Sequence, residues 1–79
     1  MMTIPNEVRS VVAEITGLPA DVSGTADLYS ELGVASIKAM QLLMELEERF
    51  GISIPDDQFI EATSVERLGE MIVRLKQSS

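Results

Sequence analysis

Apolar residues recur near the start of the chain at Ile4, Val8, Val11, Val12 and Ile15. This spacing returns to one side of a helix every turn, so it predicts an amphipathic helix from Ile4 to Thr16, closed by Gly17 just past its last turn. The period then lapses. Residues Leu18 to Ala35 are rich in Gly, Pro, Ser, Thr and Asp and predict a long loop with a single turn near Leu28 to Leu32. A loop of that length in a small domain usually serves function.

Helical spacing resumes at Ile37 and holds to Phe50, where Gly51 ends it. A linker, Ile52-Ser53-Ile54-Pro55, follows, and Asp56 to Ile60 predict one or two further turns with Asp56 and Asp57 as capping residues. Thr63-Ser64-Val65-Glu66 reads as a capping box, Thr63 at the N-cap and Glu66 three residues on, opening a last helix with the stripe Val65, Leu68, Met71, Ile72 and Leu75. Ile52-Ser53-Ile54 alternates but stops at Pro55, so no strand is expected. The expected fold is all-α, with three longer helices, one short helix and a long first loop, in a single domain over residues 1–79.

The second helix carries two apolar faces. At roughly 100° per residue, Ala39, Leu42, Leu43, Leu46 and Phe50 fall together and predict the core face. Ile37, Met40 and Met44 fall elsewhere, beside Gln41, Glu47 and Glu48. Unpaired carboxylates are not buried, so this second strip is expected to stay wet. Flexible methionines edged by charge suit a surface that meets several partners.

Composition narrows the chemistry. In 79 residues there is room for one small core and no large enclosed active site. The chain has no cysteine and no histidine. Disulfides, thiolate nucleophiles, thiolate or imidazole metal sites and the commonest general base are therefore excluded. The aspartates lack calcium-loop spacing, and no metal site is expected. A formal charge of −7 disfavours nucleic acid and anionic membranes and favours basic protein surfaces as partners. The start, Met1-Met2-Thr3-Ile4-Pro5-Asn6, lacks the basic and apolar runs of a signal peptide, and no stretch reaches membrane-spanning length. A monomeric, cytoplasmic protein without membrane insertion is expected.

Ser36 stands where the long loop meets the second helix. There a serine is expected to act as N-cap, its oxygen accepting from the free N–H groups of the first turn. The same N–H groups and the helix dipole would also favour a phosphate esterified to that oxygen.

Asp27-Leu28 in the long loop, Leu32-Gly33-Val34-Ala35-Ser36-Ile37, the helix end Met44-Glu45-Leu46-Glu47-Glu48-Arg49-Phe50-Gly51, and Ile54-Pro55-Asp56 together resemble the acyl carrier proteins. The resemblance spans nearly the whole chain. It implies a four-helix bundle whose motif serine, here Ser36, is esterified by 4′-phosphopantetheine through a phosphopantetheinyl transferase. It implies no catalytic residue. The attached thiol would carry acyl or aminoacyl groups among loading ligases, synthases and other enzymes of fatty-acid, polyketide or related pathways. The second helix would dock these partners through Ile37, Lys38, Met40, Gln41, Met44, Glu47 and Glu48.

Ala35 takes the position of the family's motif aspartate, Ile37 that of its leucine, and Lys38 and Gln41 positions often acidic in fatty-acid carriers. Acidity is thus lost around Ser36 and kept at the far end of the helix, which points to a specialised carrier. Two other readings stay open at this stage: an unmodified helical interaction module, and a peptidyl carrier of nonribosomal synthesis.

Overall fold

A computed structural model describes residues 3–78, and among these the chain forms four helices and no strand. Met1 and Met2, read above as the start of the N-terminal stretch, and Ser79, the end of the expected domain, lie outside the described residues.

Helix α1, Ile4–Thr16, matches the expected bounds. Thr3 caps it, its hydroxyl oxygen accepting from the Asn6 N–H at 3.3 Å, and Pro5 sits in the first turn, where a missing N–H costs nothing. At the other end the Gly17 N–H donates to the Ala13 carbonyl at 2.9 Å. Helix α2 covers Ser36–Phe50, α3 Asp56–Glu61 and α4 Val65–Ser78. Helix α1 packs against both α4 and α2, and α3 lies against α4.

The core is the sum of the predicted stripes. Val8, Val11 and Val12 of α1 meet Leu42, Leu46 and Phe50 of α2 and Val65, Leu68, Met71 and Ile72 of α4. Leu28 from the loop, Ile54 from the linker and Phe59 of α3 complete it. Ala39 and Leu43, expected in the core, are only partly buried and lie at its edge.

The long loop is fastened at several points. The Arg9 guanidinium donates to the carbonyls of Ala20, at 3.0 Å, and Val22. The Glu66 N–H donates to the Gly24 carbonyl at 2.9 Å and the Leu28 N–H to the Thr63 carbonyl at 2.8 Å. With Leu28 fully buried, the loop belongs to the fold, although its sequence has no period.

Two caps differ from expectation. Ser64, not Thr63, caps α4: its hydroxyl oxygen accepts from the Arg67 N–H at 3.2 Å, and the helix starts one residue later than a Thr63 cap requires. Thr63 is held by the loop instead, its carbonyl accepting from the Leu28 N–H. Glu66 therefore sits one position too early for a capping box. In α3, Pro55 occupies the N-cap and Asp56 and Asp57 lie inside the first turn, where they complement the helix dipole without capping it.

The Ser36 corner between two helices

Ser36 is delivered by a chain of local bonds. One Asp27 carboxylate oxygen accepts from the N–H groups of Tyr29 and Ser30, both at 2.8 Å, while the Asp27 carbonyl accepts from Glu31 and Leu32. These backbone hydrogen bonds, chiefly that of Ser30, hold the Asp27 carboxyl below its ordinary range. The Val34 N–H then closes back on the Leu28 carbonyl at 2.8 Å. Gly33 takes φ +72°, a left-handed turn that a side chain would strain, and the chain emerges at Ala35 aimed into α2.

The expected N-cap role of Ser36 is corrected by the structure. Ala35 is the N-cap, with extended dihedrals, and Ser36 is the first helical residue. The Ala35 carbonyl accepts from the N–H groups of Lys38 and Ala39 at 3.0 and 3.1 Å. Alanine has no oxygen to offer the first turn, so no side chain caps α2, and its first turn holds no acid. Ser36 is exposed and its hydroxyl makes no hydrogen bond among the described residues. The oxygen that would otherwise cap the helix is left accessible.

Helix α2 presents its second strip to solvent. Ile37, Met40 and Met44 are 67%, 66% and 67% exposed, far more than a core contact allows. Lys38, Gln41 and Glu48 are exposed alongside them. Glu47 departs from the group: it is half-buried, and its carboxylate accepts from the Ile54 N–H at 2.8 Å, binding the linker to α2. Gly51, at φ +64°, provides the left-handed turn that makes this closure possible. Glu45 pairs with Arg49 at 3.2 Å, and Arg49 reaches Glu14 of α1 at 3.4 Å.

Sequence reasoning missed the contribution of α3. Ile60 is 70% exposed and sits across from Met40. Two adjoining depressions of about 390 and 420 Å³ share Ser36, Ala39, Phe59 and Ile60, so they form one shallow groove between α2 and α3. Tyr29 and Val34 line one end, and Met40, Leu43 and Asp56 the other. Partial burial raises the Tyr29 phenol's pKa, and the nearby Asp27 charge adds to the effect. The only available signal was the apolar pair Phe59-Ile60 in a very short helix, and it does not by itself say which of the two stays exposed. The groove is open and has no nucleophile–base pair, so it suits a tethered chain better than an enclosed reaction.

Among the described residues no three acidic side chains gather as a metal site, and no helix is long and apolar enough to cross a membrane. A family model for the phosphopantetheine attachment site matches residues 6–72, from α1 through most of α4. The chain belongs to that family. It is a phosphopantetheine carrier protein of the acyl carrier type, and the group that defines the family is a covalently attached 4′-phosphopantetheine. Carrier domains of this kind are non-catalytic and work with a phosphopantetheinyl transferase and with partner enzymes. The Ser36 corner fits such a group: an accessible, unengaged hydroxyl lies at the edge of an apolar groove, at a helix start whose free N–H groups and dipole favour a phosphodiester.

Proposed function

We propose that Ser36 bears the 4′-phosphopantetheine arm and that this carrier moves acyl or aminoacyl groups as thioesters. The reading rests above all on one observation: within the family-matched stretch, Ser36 offers an exposed, unengaged hydroxyl at the start of α2. In loading, the Ser36 oxygen bonds to the pantetheine-bearing phosphorus of coenzyme A. The bond from that phosphorus to 3′,5′-ADP breaks, and the serine proton passes to a base on the transferase. The arm supplies the thiol that this cysteine-free chain lacks.

The protein itself is the shuttled substrate, with catalytic groups supplied by its partners. They dock on Ile37, Lys38, Met40, Gln41, Met44 and Glu48, with Ile60 extending the apolar patch onto α3; Glu47 shapes the helix end behind it. The non-acidic surroundings of Ser36, with Ala35, Lys38 and Gln41, favour a dedicated acyl, aminoacyl or polyketide pathway over general fatty-acid synthesis. The intact mass of the protein from its native host, before and after thioester cleavage, tests the reading. One arm plus a cleavable cargo is expected, and a bare chain under all growth conditions would contradict it.

A further inference from the structure

The chain has six basic residues, and five of them lie away from Ser36. Arg9 holds the long loop, Arg49 bridges α2 to α1, and Lys76 donates to the Phe50 carbonyl at the far end of α2. Arg67 and Arg74 lie with Glu61 and Glu70 on the α3–α4 side. Lys38 is the sixth. It is exposed, makes no ion pair among the described residues, and sits two positions past Ser36.

Its position runs against local stability. The first turn of a helix favours anions, and α1, α3 and α4 each place at least one acid there. Helix α2 places a lysine in its first turn and an uncapping alanine before it. Two stability rules broken at one helix start, beside the site, mark a functional compromise. On the helical wheel Lys38 lies on the α1-side flank of the exposed strip, while Ser36 lies on the flank facing α3. Across the groove α3 shows Asp56, with Asp57 exposed next to it in the same first turn. A partner straddling Ser36 thus meets acids on the α3 side and a cation on the α2 side.

We infer that Lys38 is a partner-selecting residue: it slows enzymes whose contact surface is basic where it overlies the start of α2, and admits those that present an acidic side chain there. The inference rests on Ser36 being the attachment point. Lys38 follows Ser36 by a rise of about 3 Å along α2, so a partner seated on the start of α2 meets its ammonium within about one Debye length, ~10 Å at 0.1 M salt. Reversing one unit charge at that range changes encounter with an opposed basic surface by about fivefold.

The probe is a phosphopantetheinyl transferase of general fatty-acid synthesis with a basic docking surface, supplied with coenzyme A. Its kcat/KM is measured on wild type, Lys38→Arg, Lys38→Gln and Lys38→Glu across a salt series, with Arg67→Glu matching the net-charge change at a distance. The expected order is Glu above Gln above wild type and Arg, spanning about fivefold at low salt and less than twofold at 0.5 M. Arg67→Glu should stay within twofold of wild type. Lys38→Glu should also raise the melting temperature, since it puts an acid into the first turn. Equal rates for wild type and Lys38→Glu, or an equal gain from Arg67→Glu, would overturn the inference and leave the carrier reading standing. Failure of every variant to gain an arm at Ser36, even with a broad-specificity transferase, would instead remove the carrier reading and this inference with it.

Discussion

Replacing Leu46 and Met44 in turn by alanine separates the two apolar faces of α2. Leu46 is fully buried between α1 and α4 side chains, whereas Met44, two residues away, is 67% exposed. Removing a leucine from a filled core forfeits its transfer free energy and leaves a cavity, at about 3–5 kcal/mol. Met44 keeps only a third of its surface from water, so truncation loses a third of the ~1.5–3 kcal/mol of full burial, or about 0.5–1 kcal/mol. Alanine's better helix propensity returns a few tenths of a kcal/mol. In a domain of this size 1 kcal/mol moves the melting temperature by roughly 4–8 °C. Leu46→Ala should therefore melt more than about 12 °C below wild type and Met44→Ala within about 6 °C. Thermal melts followed by far-ultraviolet circular dichroism at fixed protein concentration give both values. Similar losses for the two variants would show that Met44 is a core residue and would remove the physical basis for docking on that strip.

Ala35→Asp should stabilise the apo protein by about 0.5–2 kcal/mol, because it supplies the cap that α2 lacks; an unchanged urea midpoint would refute the capping geometry. Ser64→Ala should cost about 1 kcal/mol by freeing the Arg67 N–H, and a neutral result would return the α4 cap to Thr63. The Asp27 carboxyl is depressed in the folded state, so its contribution is complete above its unfolded pKa of about 4 and is lost as pH falls toward the folded value. Asp27→Asn should accordingly flatten the fall in stability below pH 4 in acid titrations of the melting temperature, and an identical slope in both proteins would contradict that role.

The three longer helices were legible because their apolar residues repeat at helical spacing over three turns or more, and α1 runs from Ile4 to Thr16 as that spacing requires. The exposed strip of α2 was legible for the same reason, since Ile37, Met40 and Met44 fall off the Leu42–Leu46 face. Caps were harder to read. Ser36 and Thr63 are both good capping residues, and only the tertiary bonds of the loop decide that α2 starts one residue earlier and α4 one residue later than expected. Leu28 reaches the core from a segment without periodicity because its N–H donates to the Thr63 carbonyl, a partner distant in the chain that no local pattern announces. Glu47 looked like a surface acid, and its bond to the Ile54 N–H arises from a turn that periodicity does not encode. The groove beside Ser36 depends on how a six-residue helix lies against its neighbours, which no local pattern specifies.

The most direct test of the account is where the arm attaches. The chain co-expressed with a broad-specificity phosphopantetheinyl transferase, and its Ser36→Ala variant alongside, can be weighed intact and mapped by peptide mass spectrometry. The account predicts one added arm on wild type, on the peptide holding Ser36, and none on Ser36→Ala, whose circular dichroism should match the wild type because Ser36 is exposed and makes no cap. An arm on Ser30 or Ser64, or one retained by a folded Ser36→Ala protein, would contradict it.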